Sequence, residues 1–183
     1  MKNTYYFFSG LICGIMLFFY TTNRTDETHV MVYAIPDTSE LIVITQEDEK
    51  QIQCLAKNIV FEAWNQPQEG KIAVAQVVMN RTKDPKFPKT PCAVIAQKNK
   101  RGCQFSWFCK GKWAIKDKSI QIESLYIAEM VYFNKIKDNT NGSLYFHSIS
   151  SKPFWRKHFQ KVAVIGDHIF YKKKESNNAN ISA

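Results

Sequence analysis

The chain has 183 residues and carries 25 Lys and Arg against 16 Asp and Glu, so its formal charge is +9 at pH 7. When the terminal segments described below are set aside, about 130 residues remain, which is ample for one domain with a single core and excludes an array of domains. A basic surface favours a polyanionic partner, so nucleic acid has to be considered first.

An apolar segment opens the chain. Lys2 precedes an uncharged stretch over residues 3–23, and charge resumes at Arg24. This length lies between a signal peptide and a thin membrane span. No small-x-small cleavage pattern follows, so we favour an uncleaved apolar helix that anchors the protein in the membrane over a signal peptide that is removed. Both alternatives predict export, to the periplasm or the extracellular space, which argues against nucleic acid as the partner.

The flanks of the main domain are polar. Residues 24–44 are mixed in charge and include Pro36, which predicts a linker. The apolar run Leu41–Ile44 at its end is expected to pack under the next helix or to begin it early. Residues 172–183 start with three lysines and continue in Asn, Ser and Ala, which predicts a disordered tail. The catalytic or binding domain is therefore placed at residues 45–171.

The first helix of that domain is predicted from Thr45, which can cap it, to Trp64. It has an apolar stripe at helical spacing: Ile52, Leu55, Ala56 and Ile59. Its last turn is apolar on every side around Glu62, through Val60, Phe61, Ala63 and Trp64. A carboxyl in such surroundings loses its water, which raises its pKa and suits it to act as a general acid. The alternative is that Glu62 simply points outward.

A second helix follows a short turn. Pro67 and Glu69 suit its first turn, and residues 72–79 are apolar except for Gln76, which predicts a central helix touched on most sides. Because the helix dipole already explains Glu69, it is only a minor candidate for a second carboxylate, as is Asp117.

Aromatic residues gather between residues 102 and 113, after a loop that contains three prolines and several lysines. Phe105, Trp107, Phe108 and Trp113 stand beside polar groups, as sugar-stacking residues do. Equally, they could belong to the core, because aromatic side chains bury large areas.

The last part of the domain combines a helix with strands. Residues 117–134 predict a third helix with an apolar face that includes Ile122, Leu125 and Tyr126. Residues 143–150 predict a strand with Tyr145 and His147 on one face, and residues 162–165 and 168–171 predict a strand pair. The sequence therefore predicts an α+β domain with a small antiparallel sheet.

Four cysteines follow the apolar segment: Cys54, Cys92, Cys103 and Cys109. In an oxidising compartment they favour disulfides, with three possible complete pairings. Cys54 lies beside the apolar stripe and is expected to be a buried free thiol. Our preferred bridge joins Cys92 to Cys103 or Cys109. The histidines and cysteines show no metal-ligand spacing, so we expect no metal and no cofactor.

Several spaced blocks resemble one family, the SleB/CwlJ cell wall hydrolases. The matching blocks run in order through the domain: Glu62–Ala63, Gln66–Gly70, Ile72–Arg81, Asp84–Pro88, Gln104–Trp107, Leu144–His147, Pro153–Trp155 and Ile165–Tyr171. One departure is Trp64-Asn65, where the family usually has Arg-Gly; this change could alter the lip of the cleft.

The resemblance implies a lysozyme/lytic-transglycosylase-like helical domain that cleaves peptidoglycan glycan strands, with Glu62 as catalytic acid. We expect substrate contacts from six residues: Phe105, Trp107, Tyr145, His147, Trp155 and His168. Resemblance also favours a lytic transglycosylase, which needs one carboxylate, over a hydrolase, which needs two. We expect a monomer held near an anionic cell envelope by its basic surface. The alternatives are a non-catalytic wall-binding protein and a wall peptidase with a cysteine nucleophile activated by histidine.

Overall fold

The computed structural model describes residues 31–34, 41–100, 102–111 and 117–174. The predicted signal or anchor at residues 3–23 lies outside the described residues, as do Trp113 and the tail beyond residue 174. None of the helices in the described ranges has both the length and the apolar character that crossing a bilayer requires.

A short hairpin forms a unit by itself. Strand β1 (Met31–Ala34) pairs antiparallel with β2 (Leu41–Ile44), with Met31 opposite Ile44 and Ala34 opposite Leu41. Both strands fall within the predicted linker. The expectation that Leu41–Ile44 would begin the first helix early was wrong, because this run of Ile and Val favours a pleated strand.

Two helices form the centre of the second unit. Helix α1 spans Gln46–Ala63 and α2 spans Gln68–Lys83. Every residue from Gly70 to Met79 is buried, which confirms the predicted central helix. Alanines that alternate with branched side chains make this possible, since they let neighbouring elements approach α2 from several sides.

Smaller elements connect α2 to the third long helix. They are α3 (Pro91–Ile95), the two-residue strands β3 (Lys98–Asn99) and β4 (Gly102–Cys103), and α4 (Ser106–Lys110). Helix α5 (Lys118–Tyr132) contacts α2. Its predicted face was wrong at Ile122 and Tyr126, whose exposed fractions are 69% and 55%. The buried positions of α5 are Ser124, Ile127, Ala128 and Val131.

The sheet contains three antiparallel strands in the order β5-β7-β6. Their bounds are β5 (Tyr145–Ser148), β6 (Phe159–Ile165) and β7 (His168–Lys173), and a 3-10 helix (Phe154–His158) precedes β6. Strand β7 continues two residues into the stretch predicted as tail. The predicted α+β architecture with a small antiparallel sheet is confirmed for this unit.

Two groups of buried side chains lie on different sides of α2. The larger group joins residues of α1, α2, α3 and α5 with Phe105. The smaller group joins Ala63 and the α2 residues Ala73, Val74 and Val77 to Phe170 of the sheet. Helix α2 therefore packs against the other helices on one side and against the sheet on the other.

Candidate active site

Glu62 lies in the last turn of α1 and is half-buried. Val60 and Ala63 beside it are buried and Phe61 is half-buried, whereas Trp64 is 57% exposed and lies outside this apolar wall. Burial raises the pKa of the Glu62 carboxyl, against the weaker opposing effect of the positive charges of Arg81 and Lys110. The side chain of Glu62 is therefore not freely solvated, and its role as the acid stays a prediction.

Helix α4 covers part of the same face of α1. The rings of Phe61 and Trp107 stack with their centroids 4.5 Å apart. The indole Nε1 of Trp107 donates a 3.0 Å hydrogen bond to Oδ1 of Asn58. Lys110, at the end of α4, supplies one of the two charges that act on Glu62. The half-buried Trp107 is thus anchored to the last turns of α1 by one polar and one aromatic contact.

Arg81 provides the second charge from inside the protein. Its side chain is 2% exposed, and its Nε donates a 2.8 Å hydrogen bond to the carbonyl of Leu144. The guanidinium carbon lies 5.2 Å from the ring centre of Phe105, 5.3 Å from that of Phe87 and 5.9 Å from that of Tyr145. Burial lowers the pKa of Arg81 to about 10, so it remains charged at neutral pH. A buried cation therefore acts on the Glu62 carboxyl through its charge.

A second aromatic group lies on the sheet. The ring of Trp155 lies 6.0 Å from that of Tyr145 and 5.5 Å from that of His147. Tyr145 and Trp155 are half-buried, so part of each ring is open to solvent. Because Tyr145 also contacts the Arg81 guanidinium, this group connects to the Glu62 face through Arg81.

Three predicted substrate contacts are buried instead. Phe105, His147 and His168 are 3%, 8% and 7% exposed, so little of each side chain is open to solvent. His147 Nδ1 donates to the Ser148 carbonyl at 2.8 Å, which leaves Nε2 to accept from the Tyr171 hydroxyl at 3.0 Å. The ring of His168 packs edge-on against Phe146, and its burial lowers its pKa. Burial gives each of them a packing role, and their contact with substrate stays a prediction.

Of the two candidate second carboxylates, Asp117 caps a helix and Glu69 is exposed. Asp117 caps α5 by accepting from the backbone amides of Ser119 and Ile120. The hydrogen bond from the Ser119 hydroxyl, followed by those from the two amides, lowers the pKa of Asp117. Glu69 is exposed in the first turn of α2, while Arg81 lies in the last turn, about 18 Å further along the axis. Among the described residues, the charges that shift the pKa of Glu62 are those of Arg81 and Lys110, and Glu69 is not one of them.

The disulfide pairing differs from our preferred pairing. Cys54 bonds to Cys92, and Cys103 bonds to Cys109. The prediction of a free Cys54 and a bridge from Cys92 to Cys103 or Cys109 was wrong, because the α1–α3 packing brings positions 54 and 92 together, which spacing cannot show. With all four of these thiols in disulfides, none is available as a nucleophile, which removes the peptidase alternative for this domain.

Three residues of the site were missed from the sequence. Asn58 is fully buried, and Arg81 and Lys110 act on Glu62 from α2 and α4. A signal was present for Asn58, since a polar residue lies next to the apolar stripe of α1, one turn before Glu62. Across the described ranges there is no cluster of three or more His, Cys, Asp or Glu side chains suited to a metal ion.

Comparisons with known proteins agree with the sequence motifs. The Cell Wall Hydrolase family matches residues 65–171, a range that begins three residues after Glu62. The spore cortex-lytic enzyme of Bacillus cereus is 27% identical over 129 residues, which make up 68% of this chain and 45% of that protein. The chain therefore spans less than half the length of this curated relative.

Two solved structures share the fold. The catalytic domain of the germination-specific lytic transglycosylase SleB from Bacillus anthracis has a TM-score of 0.55 at 24% identity, over 75% of this chain and 100% of that domain. The catalytic domain of the Bacillus cereus SleB protein has a TM-score of 0.52 at 23% identity, over 75% of this chain and 95% of that domain. The family match covers more than half of the sequence, and the predicted resemblance is confirmed: the chain belongs to the Cell Wall Hydrolase family, with the SleB-like cell wall hydrolases.

Proposed function

We propose that this chain cleaves the glycan strands of peptidoglycan as a lytic transglycosylase, with Glu62 as the single general acid and base. Family membership supports the substrate class. The observation that carries the mechanism is the carboxyl of Glu62, desolvated by its neighbours yet only half-buried. It keeps its proton to a higher pH than an exposed glutamate would, and one edge remains open to a sugar.

Bond cleavage begins with proton transfer. Glu62 gives its proton to the oxygen of the glycosidic bond between the amino sugars, and the bond from that oxygen to the anomeric carbon breaks. Positive charge develops on the sugar while negative charge develops on Glu62. The cations of Arg81 and Lys110 favour the ionised carboxylate at this stage, because opposite charges stabilise it.

The second half of the reaction uses the same group. The ionised Glu62 takes the proton from the muramic acid's own hydroxyl, whose oxygen bonds to the anomeric carbon and closes an anhydro ring. Glu62 is then protonated again and no water is consumed. A hydrolase would need a partner carboxylate to activate water or to trap the sugar. The capping role of Asp117 and the exposed position of Glu69 favour the route that needs none.

The sugar rings would lie along the half-buried aromatic side chains. Trp107 stands on the Glu62 side, and Tyr145 and Trp155 stand on the sheet side. Each offers a flat apolar face to the C–H groups of a pyranose. We also propose that the protein works outside the cytoplasm, anchored or free, as its two disulfides and its family support.

The test is release of soluble fragments from purified peptidoglycan. Glu62→Gln keeps the size of the side chain and removes the acid, so we expect release to fall by at least about 100-fold, the scale of general acid catalysis. Glu69→Gln makes the same chemical change at an exposed position of α2 and should retain activity. Full activity of Glu62→Gln contradicts the proposal. A wild-type chain that binds peptidoglycan and releases nothing would be the non-catalytic wall-binding protein instead.

A further inference from the structure

Asn58 is a buried polar residue on the helix face that carries Glu62. It lies four positions before Glu62 on α1, and its exposed fraction is 0%. Side chains four apart lie above one another on a helix, with about 6 Å between their Cβ atoms. A polar amide in this place needs a physical reason, because burying it without hydrogen bonds is unfavourable.

The hydrogen bonds of Asn58 point to Trp107. Its Oδ1 accepts from the Trp107 indole Nε1 at 3.0 Å. Its Nδ2 is buried without a hydrogen-bond partner among the described residues. Asn58 therefore retains one strong contact and leaves a donor unpaired, and an apolar side chain of similar size would avoid that penalty. We therefore attribute the presence of the amide to the hydrogen bond that it accepts from the indole.

Trp107 is held at two points that border Glu62. It bonds to Asn58 and stacks on Phe61. Asn58 lies three positions before Phe61 and four before Glu62, so both are its neighbours on the surface of α1. Lys110, on the same short helix as Trp107, acts on the Glu62 carboxyl. The indole therefore lies over the part of α1 that carries Glu62. The Cys103–Cys109 disulfide closes the short segment that carries Trp107, which limits how far the ring can move.

We propose that Asn58 is a positioning residue, which fixes the Trp107 indole beside the Glu62 carboxyl so that the ring excludes water on that side and presents its face to a sugar. The assignment rests on the glycan cleavage proposed above. Without the Asn58 acceptor, the indole N–H would turn towards water and the ring would leave its place. Desolvation by burial is the largest cause of the raised pKa of Glu62, and in this proposal the indole contributes to that desolvation.

The experiment combines three variants in the full chain: Asn58→Leu, Trp107→Phe and the double variant. Peptidoglycan cleavage is measured as kcat/KM across pH, and the indole N–H of Trp107 is followed by NMR hydrogen exchange, with its signal assigned by its loss in Trp107→Phe. We expect faster exchange in Asn58→Leu and a loss in kcat/KM of about tenfold or more in each single variant. The double variant should lose no more than the worse single variant, because both changes remove one interaction.

The pH profile separates positioning from general loss of structure. With water nearer the carboxyl, the pKa of Glu62 falls, so the alkaline limb of activity should move to lower pH in both single variants. Should Asn58→Leu fail to fold, Trp107→Phe alone must still show that displacement. The assignment is overturned if the double variant loses kcat/KM by the product of the two single losses, or if the alkaline limb of activity does not move in the single variants. Either result leaves Glu62 as the acid. A wild-type chain that cleaves no glycan overturns both.

Discussion

The Gln66 side chain bonds to Asp167 at two places and so joins the turn after α1 to the turn between β6 and β7. Its Oε1 accepts from the Asp167 backbone amide at 2.8 Å, and its Nε2 donates to the Asp167 carboxylate at 3.2 Å. Gln66 is buried although it lies in a turn. This contact joins the sheet to the end of α1, the helix that carries Glu62. The sheet in turn carries Tyr145, whose ring contacts Trp155.

A side chain at position 166 would disrupt this contact. Its φ is +55°, and a Cβ added there would collide with the Gln66 amide oxygen. We expect Gly166→Ala to lower the free energy of unfolding by about 3 kcal/mol, because it combines backbone strain with a lost hydrogen bond. Gly142→Ala is the matched control: φ there is +75° with open space around it, so about 1 kcal/mol of strain alone is expected. Equal losses in urea unfolding would show that the Gln66 contact contributes little.

Glu62→Gln should make the protein more stable at neutral pH. The folded state binds the Glu62 proton more tightly than the unfolded chain, because burial raises the pKa above its ordinary value of 4.5. Stability from this group is therefore complete below about pH 4.5 and is lost as pH rises through the folded pKa. We expect the variant to match the wild type at pH 4 and to exceed its Tm by roughly 2–5 °C at pH 8. A variant that is equally or less stable at pH 8 would mean that the carboxyl is well solvated.

Lys110→Gln should move the pH profile of activity. Lys110 is exposed, so its removal leaves the core intact, and its charge lowers the pKa of Glu62. Without that charge the pKa rises, so Glu62 stays protonated for longer and the alkaline limb moves to higher pH. Lys118→Gln removes an exposed lysine at the start of α5 and should leave the limb in place. The effect of Lys110→Gln should shrink at high salt, since salt screens exposed charges. If the alkaline limb of activity does not move at low salt, the charge of Lys110 does not act on Glu62.

The two disulfides should differ in what they support. Cys54–Cys92 closes a separation of 38 residues and Cys103–Cys109 one of 6. Chain entropy predicts stability losses of about 4 kcal/mol for the first Cys-to-Ala pair and about 2 kcal/mol for the second. Activity should respond in the opposite order, because the smaller loop carries Trp107. Peptide mapping without reductant checks the pairing itself, and a peptide that joins Cys92 to Cys103 or Cys109 would contradict it.

Local patterns were sufficient to predict the helices around Glu62. The stripe of Ile52, Leu55, Ala56 and Ile59 is buried, as its period indicates. The run of apolar residues in α2 predicted a helix packed on most sides, and the apolar last turn of α1 predicted the desolvation of Glu62. These predictions succeeded because each depends on neighbours within one or two turns of the same helix.

Contacts between distant segments were not predictable in the same way. The partner of Cys92 depends on how α3 docks on α1, and the Trp107 anchor depends on where α4 lies. On α5 the buried face turns towards Ser124 and Ile127, because α2 meets the helix on that side, and Ile122 is left exposed although it is apolar. Periodicity identifies an amphipathic helix, but docking selects the face.

Mass spectrometry of peptidoglycan digested in ¹⁸O-labelled water tests the central claim most directly. A lytic transglycosylase consumes no water, so the wild-type chain should release fragments with anhydro ends and no ¹⁸O, and Glu62→Gln should release almost none. Reducing ends that carry ¹⁸O would show hydrolysis and a second catalytic group. Equal amounts of fragments from Glu62→Gln and the wild type would show that the half-buried carboxyl is not the acid.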